Sequence, residues 1–579
     1  MGVVTSMCCT GRAQKTRTEQ QLKVLIEALC YVKFKEPAEP IGAAGGTAAF
    51  YRLTPQDKTK SQEEWLGKDL AHAFDELEFY EAAKKLRGQQ EWALLGYMIE
   101  YGGALKDFPV RWSGGDEQML DLLVMRSLVE GFEKPRLLDL KIGAKTSAAN
   151  WKGKSAMASL KQGMLDSITN SASEGLRLEG FLNPPEWIDS EDPLHDVGGG
   201  EFWAKGKAKK ARRFYFQRMS TAEVLAALVD FRELTQDPQC LWPCECAEMA
   251  LLAMVRDLGG ILRACNRIPV PQKWIGSSVA VVAEAGAYPP RPHRGAQPQG
   301  SSHKACVRIF DWGRSELNTP ARHSALGEEQ RGDRQEYWSH YQAGISRLLW
   351  EAARLYWNSF CASSWTSIHV TVYDYDSQTQ DDLLGFAEAA LPSEAGGEAS
   401  LALPLTNCQG KQVLGEGSQP ALVNLKVSFS PCPAPSRLRG CWRVRVASAS
   451  HLPIGDLGLS SASSSDPYAV VALSEGPPAG GQRGPRRTQA RTAVISNSLN
   501  PAWEEDVCFA VAQASGGSPE PEGCEAAGEA SLSAALAAGG APGSLAGLFP
   551  APRDRASLAE PPSEETELLK AFAEQLCNG

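Results

Sequence analysis

Apolar residues follow two different spacings along this chain, and the spacing changes near residue 364. Between Tyr337 and Leu355 they recur every three or four residues, which predicts one long packed helix. Beyond Ser364 apolar and polar residues alternate, as in Ile368-His-Val-Thr-Val-Tyr-Asp-Tyr-Asp376, which predicts short strands. From about Gly516 to Glu564 few large apolar residues remain among Ala, Gly, Ser, Pro and Glu, so we expect a disordered tail.

Composition narrows the class of protein. At 579 residues and 43% hydrophobic content, the chain is long enough for two to four domains with substantial cores. A net charge of -10 argues against nucleic acid as the main partner. No apolar run approaches the ~20 residues that a membrane-spanning helix needs.

The fifteen cysteines are scattered without paired spacings, which favours a reducing, cytoplasmic compartment. Cys240, Cys244 and Cys246 form a C-x-x-x-C-x-C motif, but no matching Cys or His pair follows nearby. We therefore predict free thiols there in preference to a zinc site.

The first residues predict attachment to a membrane. MGVVTSMCC fits the pattern for acylation of Gly2, and Cys8 and Cys9 are candidates for palmitoylation. One myristoyl chain binds a bilayer only marginally, so the cysteines and nearby basic residues would supply the second anchor. We expect residues 1–19 to attach the protein peripherally to the inner face of a membrane. The alternative is a disordered start that matches this short pattern by chance.

The segment Val129–Thr146, VEGFEKPRLLDLKIGAKT, carries the most informative chemistry. Asp139 and Lys141 lie two residues apart in a strand-like run, and alternation places both on one face. Gly143 opens the turn that follows. A carboxylate beside an ammonium suits a phosphorylated polyol, because the first can meet a hydroxyl and the second a phosphate. The alternative is an ordinary strand with a surface ion pair.

This segment resembles the inositol polyphosphate kinase family, whose motif reads P-x-x-x-D-x-K-x-G after E-G-F-acid-K-P. Other segments that resemble the family follow in its order: E-x-x-F-Y-E at 76–81, SEGLRLEG at 173–180, GSS at 276–278 and IFDWGRS at 309–315. The resemblance implies a two-lobed α+β kinase-like domain, of the ATP-grasp or protein-kinase type, over residues 20–358.

The resemblance also implies roles for individual residues. Asp311 would be the Mg²⁺ ligand, with Ser277 and Ser278 near the phosphates of ATP. Asp139 would contact the acceptor hydroxyl and is the candidate base, and Lys141 would hold a phosphate of the substrate. Arg177 and Lys161 would bind further phosphates, because cationic side chains suit a polyanion.

Two positions depart from the family. Members usually carry a lysine on a strand of the first lobe that binds the ATP phosphates, and Arg52 occupies the nearest equivalent position here. They often carry Glu-Asp at the hinge, where this chain has Arg126-Ser127. Both changes weaken the prediction of ATP binding, since Arg and Lys are not interchangeable where geometry is tight.

The alternating region, residues 362–512, resembles a C2 domain, an all-β sandwich. Asp374, Asp376 and Asp382 match the calcium ligands of its third loop, and Asp456 and Asp466 match those of its first loop. The later strands precede the earlier ones, so the region is either two fragments of a tandem or one circularly permuted domain, which we favour. Five carboxylates on one rim suit Ca²⁺; a sandwich without metal is the alternative.

The resulting prediction is an enzyme that uses ATP and Mg²⁺ to phosphorylate a soluble inositol polyphosphate, with inositol trisphosphate favoured. Acyl chains and C2-like loops would bind it to membrane phospholipid. The Gly-Arg-Ser after Asp311 resembles the trisphosphate 3-kinase branch of the family. The alternative is a catalytically degenerate scaffold that binds inositol phosphates or lipid headgroups through the kinase-like region. Residues 513–579 complete the domain organisation as a mostly disordered tail.

Overall fold

The computed structural model describes most of the chain between residues 18 and 513. The described ranges are 18–41, 50–57, 63–71, 73–111, 117–132, 134–152, 154–185, 216–229, 243–285, 305–361, 364–375, 381–432, 438–455, 464–475 and 487–513. Gly2, Cys8, Cys9, Cys240, Asp376, Asp456 and the predicted disordered tail lie outside these ranges.

The first lobe is built on a five-stranded antiparallel sheet with the order β1-β2-β3-β5-β4. Its strands are β1 (Glu39–Ile41), β2 (Phe50–Leu53), β3 (Trp65–Asp69), β4 (Tyr101–Arg111) and β5 (Glu117–Arg126). Helices α1 (Glu19–Glu27) and α2 (Phe74–Leu86) and a 3-10 helix (Gln90–Tyr97) complete it. Leu122 and Leu123, neighbours on β5, are both buried, so the sheet is covered on both faces.

The second lobe contains a four-stranded antiparallel sheet with the order β7-β6-β8-β9. Its strands are β6 (Pro135–Ile142), β7 (Leu176–Leu182), β8 (Ser278–Glu284) and β9 (Ala305–Phe310). The helices are α3 (Ala156–Ile168), α4 (Asn170–Glu174), α5 (Thr221–Leu228), α6 (Pro243–Arg267), α7 (Pro320–Ser324) and α8 (Glu328–Phe360). The predicted long helix is confirmed as α8, which buries Tyr341, Ile345 and Leu348 against this lobe.

The lobes are joined beside the end of β9. Met98 forms a parallel bridge with Ile309, and the N–H of Ile99 donates to the carbonyl of Ile309 at 3.1 Å. One hydrophobic core runs through both lobes, from Leu77 on α2 to Leu348 on α8. The residue that follows β9 is therefore held against both halves of the structure.

The last part is an eight-stranded sandwich of two antiparallel sheets, with the orders β11-β10-β15-β16 and β12-β13-β14-β17. Its strands are β10 (Ser367–Asp374), β11 (Asp382–Ala390), β12 (Ala399–Pro404), β13 (Leu422–Pro431), β14 (Leu438–Ser450), β15 (Pro467–Ser474), β16 (Arg487–Arg491) and β17 (Ala502–Ala512). Each sheet takes two strands from each predicted segment, since β10 pairs with β15 and β13 with β14. The two segments thus form one sandwich, and the permuted order stays a prediction.

One sheet of the sandwich packs against the kinase-like lobes. Trp442 on β14 points into the sandwich core, whereas its neighbour Cys441 and the opposing Ala510 on β17 join the core of the lobes. Cys244, at the start of α6, lies in the same core, and Cys244 and Cys246 form no disulfide within the described residues. The predicted fold class, a two-lobed kinase-like domain followed by an all-β sandwich, is confirmed.

Candidate active site

The candidate site begins with the two charged residues on β6. Lys141 lies opposite Ser278 on β8, and Asp139 lies opposite Ala280, so both residues share one face of the central strand. The Nζ atom of Lys141 lies 3.4 Å from Oδ2 of Asp311, which follows β9. The Asp311 carboxylate is also close enough to raise the pKa of Asp139. The predicted trio of Asp139, Lys141 and Asp311 therefore does come together in the structure.

Asp311 adopts a left-handed backbone conformation, with φ of 64°. This conformation is uncommon for residues other than glycine and persists where the surroundings enforce it. The next residue, Trp312, is fully buried and stacks on Phe79 of α2 with ring centroids 4.4 Å apart. Trp274 packs edge-on against Trp312. This aromatic cluster holds the turn that presents the Asp311 carboxylate.

A second cation, Lys68 on β3, meets the other oxygen of Asp311. Its Nζ lies 3.8 Å from Oδ1 of Asp311 and 2.5 Å from Oε2 of Glu76 on α2. Burial opposes the charge of Lys68, but Glu76 and Asp311 outweigh it and raise the pKa of the lysine. Asp311 therefore lies between two ammonium groups.

The sequence patterns predict Arg52 for this role and do not indicate Lys68. The structure does not bring Arg52 to the site: its side chain is exposed on β2, opposite Leu66. Lys68 lies one strand further along, opposite Phe50. The Gly-rich patch before residue 50 favours a nucleotide-covering turn beside β2. In WLGKD two apolar residues, Trp65 and Leu66, are followed after Gly67 by two charged ones, so no alternation of apolar and polar residues identifies β3 from the sequence.

The surroundings of Asp139 and Asp311 shift the pKa values of the two carboxyl groups in opposite directions. Burial raises the pKa of Asp139 to about 6, although Lys141 acts against this shift. Burial also acts to raise the pKa of Asp311, but the ammonium groups of Lys141 and Lys68 outweigh it and lower the pKa. Asp311 is thus the permanent anion, suited to a cation, and Asp139 is the carboxylate that can exchange a proton near neutral pH.

Several cationic side chains lie close to the segment between β6 and α3. Burial lowers the pKa of Lys154, and the nearby charges of Arg314 and Lys141 lower it further. The Nε1–H of Trp151 donates to the carbonyl of Arg314 at 2.7 Å, which ties this segment to the turn after Asp311. Lys154, Arg314 and Lys141 together form a positive region that suits a polyphosphorylated substrate.

The prediction that Arg177 binds a substrate phosphate is corrected, because the structure buries this side chain among residues of its own lobe. Its guanidinium group lies 2.6 Å from Asp166 and 2.7 Å from Glu179 and donates to the hydroxyl of Ser171 at 2.6 Å. The side chain is only 2% exposed. Arg177 therefore neutralises two buried carboxylates within the lobe, and cannot reach a phosphate of a substrate. Lys161, by contrast, is exposed on α3.

Some buried oxygens at the site lack hydrogen-bond partners. Oδ1 of Asp139 and Oγ of Ser277 are examples within the described part of the chain. Buried polar atoms are normally paired, so these oxygens are candidates to contact a ligand bound beside Asp311. One or two carboxylates plus phosphate oxygens are what Mg²⁺ prefers, and Asp311 supplies the first of these. The donor set fits a magnesium-bound nucleotide.

The predicted calcium rim is described in part. Asp374 is buried, and its Oδ1 accepts from the N–H of Asp466 at 2.5 Å, which joins the two loops. Asp382 is exposed at the start of β11, across the ladder from Asp374. Among the described residues, no three His, Cys, Asp or Glu side chains are placed to hold a metal ion. Calcium binding therefore stays a prediction.

Family models match both parts of the chain. Residues 122–345 match the inositol polyphosphate kinase family, and residues 352–405 and 440–520 match the C2 domain. The chain contains an inositol polyphosphate kinase domain followed by a C2 domain. No curated protein matches it.

Two solved structures are among those similar to this chain. The inositol phosphate multikinase Ipk2 from S. cerevisiae, in complex with ADP and Mn²⁺, is 16% identical over 48% of this chain and 94% of its own, with a TM-score of 0.31. A second inositol phosphate multikinase is 13% identical over 47% of this chain and 97% of its own, with a TM-score of 0.26. Because both TM-scores are below 0.5, the assignment of the kinase domain depends on the family models alone.

The hinge of the kinase domain differs from the family in the way the sequence indicated. Arg126 forms ion pairs with Glu130 and Glu63 and lies over the ring of Trp65. The N–H of Ser127 donates to the carbonyl of Glu64 at 2.8 Å. These contacts connect the hinge to β3, and the acid expected to bind ribose is absent from positions 126 and 127.

In the described part of the kinase and C2 domains, no helix is both long and apolar enough to span a bilayer. The predicted acylation sites, Gly2, Cys8 and Cys9, stay predictions because they lie outside the described residues.

Proposed function

We propose that this protein transfers the γ-phosphoryl group of ATP to a hydroxyl of a soluble inositol polyphosphate, with inositol trisphosphate preferred, at a membrane surface. The observation that carries the proposal is the position of Asp311 between Lys141 and Lys68, at 3.4 and 3.8 Å, beside the protonatable Asp139. The family match supports phosphorylation of an inositol phosphate. The Gly-Arg-Ser after Asp311 supports the trisphosphate, and the C2 domain supports a membrane surface.

Each charged side chain has a role in this reaction. Asp139 accepts the proton of the acceptor hydroxyl as its oxygen bonds to the γ-phosphorus and the bond to ADP breaks. Lys141 and Lys68 neutralise the charge on the transferring and leaving phosphates. Asp311 would hold Mg²⁺, which would supply positive charge to the phosphate oxygens. Lys154 and Arg314 hold the phosphates of the inositol ring.

A phosphoryl-transfer assay with ATP, Mg²⁺ and a panel of inositol phosphates tests the proposal. We expect Asp311→Asn to lower kcat/KM on the order of a thousandfold, because the metal loses its carboxylate. Asp107→Asn is the matched control, since Asp107 also has a positive φ, 48°, but lies on an exposed turn of β4. Equal rates for wild type and Asp311→Asn would reject this site.

The rival function is a scaffold that binds inositol phosphates without turnover. The ion-paired Arg126 at the hinge favours it, because the acid that would bind ribose is missing there. Calorimetric titration with inositol trisphosphate and with an ATP analogue separates the two functions. Binding of the inositol phosphate with neither nucleotide binding nor turnover would establish the scaffold.

A further inference from the structure

Helix α3 exposes large apolar side chains and buries an acidic one, the reverse of the usual arrangement of a surface helix. Met157, Leu160, Met164 and Ile168 are 63, 61, 63 and 59% exposed. Their spacing of three, four and four residues places them along one face of the helix. The helix is attached to the lobe through its polar side, where the buried Asp166 accepts from the N–H and the hydroxyl of Thr146 at 2.8 and 2.7 Å.

This arrangement is costly unless something covers the apolar face. A surface helix normally turns its apolar stripe inward and its charged residues outward. Here the only acid of the helix is buried with Arg177, and four long apolar side chains point outward. A contiguous exposed apolar surface of this kind marks an interaction site.

The charge around the helix identifies the partner. Between Gly143 and Gly163 the sequence has four lysines and no Asp or Glu. Lys145 pairs with Glu336 and Lys152 with Asp75, so the positive charge that bears on a partner is that of the other two lysines. The exposed Lys161 lies on α3, and Lys154 lies just before its first turn. Apolar side chains flanked by lysines match a bilayer that contains anionic lipid, in which the apolar side enters the headgroup boundary and the ammonium groups meet the phosphates.

We propose that α3 is a membrane-docking helix whose four apolar side chains insert into an anionic bilayer. This inference rests on the membrane part of the proposed function and deepens it. Lys154 belongs to the same cationic region as Lys141 and Arg314. Docking through α3 therefore brings the substrate side of the kinase site to the bilayer surface. The contact needs neither acyl chains nor calcium.

Vesicle binding by the full-length, unacylated chain tests the proposal. The chain is mixed with vesicles of 70% phosphatidylcholine and 30% phosphatidylserine, with a calcium chelator and without ATP. We expect the double variant Leu160→Glu/Met164→Glu to lower the partition coefficient at least tenfold. The control double variant is Met119→Glu/Ile26→Glu, at residues 49 and 53% exposed on β5 and α1 of the first lobe. It should bind as wild type does.

Two further measurements check that the variants are folded and that α3 itself contacts the vesicles. Melting temperatures within about 2 °C of wild type establish that both double variants are folded, because all four residues are exposed. Hydrogen exchange should show that vesicles protect the amides of residues 156–168.

Lack of vesicle binding by the wild type, or equal losses in the two double variants, would overturn the proposal. So would sedimentation showing that the α3 substitutions convert a dimer to a monomer without affecting vesicle binding. Because binding is measured without ATP, an inactive enzyme that still binds vesicles through α3 would reject the kinase function and leave this inference standing.

Discussion

Lys68 on β3 and Glu76 on α2 form a buried ion pair, with Nζ and Oε2 2.5 Å apart, next to Asp311. The pair fixes the lysine where it can meet a phosphate of ATP, and it makes the position of α2 part of the site. Glu76 is 1% exposed, so its charge depends on this partner.

The pair predicts which cation binds the nucleotide. Lys68→Met should lower kcat/KM for ATP on the order of a hundredfold, because the variant lacks the ammonium group that neutralises the negative charge of the ATP phosphates. Arg52→Met, an exposed position on β2, should change it less than about twofold. Steady-state kinetics at varied ATP concentrations measures both. The reverse ranking would restore the role that the sequence suggested for Arg52.

Asp139 predicts the pH dependence of the rate. Because burial raises its pKa to about 6, the base is protonated below that pH and kcat/KM should rise up to about pH 6 and then level off. The pKa of Asp311 is lowered, so its protonation should not add a second change in kcat/KM near pH 6. Asp139→Asn should lose activity at every pH. A rate for the wild type that is flat from pH 5 to 8 would contradict the role of Asp139 as base.

The same shift has a consequence for stability. A carboxyl with a higher pKa in the folded chain, about 6 against 3.8, holds its proton more tightly when folded. The protonated carboxyl therefore contributes fully to the free energy of unfolding below about pH 4, and this contribution is lost as the pH rises to about 6. At pH 8 we expect Asp139→Asn to raise the free energy of unfolding by about 3 kcal/mol. Urea denaturation at pH 4 and pH 8 measures this, and no gain at pH 8 would contradict it.

Local patterns predicted part of this site well. The alternation on β6 was enough to place Asp139 and Lys141 on one face, because a strand has a fixed period of two. The motif around Asp311 placed that residue after a strand. The long helix followed from its apolar spacing, since α8 buries one stripe against the lobe.

Other parts depended on packing that the sequence does not display. Lys68 lies at the site because β3 pairs with β5 and α2 lies beside it, a relation between segments far apart in the chain. Arg177 is buried because Asp166 and Glu179 converge on it, and no local spacing distinguishes such a buried arginine from a ligand-binding one. The exposed apolar face of α3 is likewise visible only once the packing of that helix is known.

The C2 domain predicts a response to calcium. If the loops hold the ion, calcium should raise the melting temperature of the full chain by mass action. Asp382→Asn should reduce that rise, with Asp107→Asn in the kinase domain as the control. Asp374 and Asp466 are unsuitable for substitution, because their carboxylates already accept from the backbone N–H groups of Asp466 and Asn497. Equal melting temperatures with millimolar calcium and with chelator would favour the sandwich without metal.

Arg177 predicts a loss of stability where the sequence suggested a loss of substrate affinity. Arg177→Met leaves Asp166 and Glu179 buried without their cation, which should cost about 3–5 kcal/mol of the free energy of unfolding. Lys161→Met, at an exposed position on α3, should change that free energy by less than about 0.5 kcal/mol. Denaturant unfolding compares the two variants. A stable Arg177→Met protein with a raised KM for the inositol phosphate would show instead that the guanidinium group binds substrate.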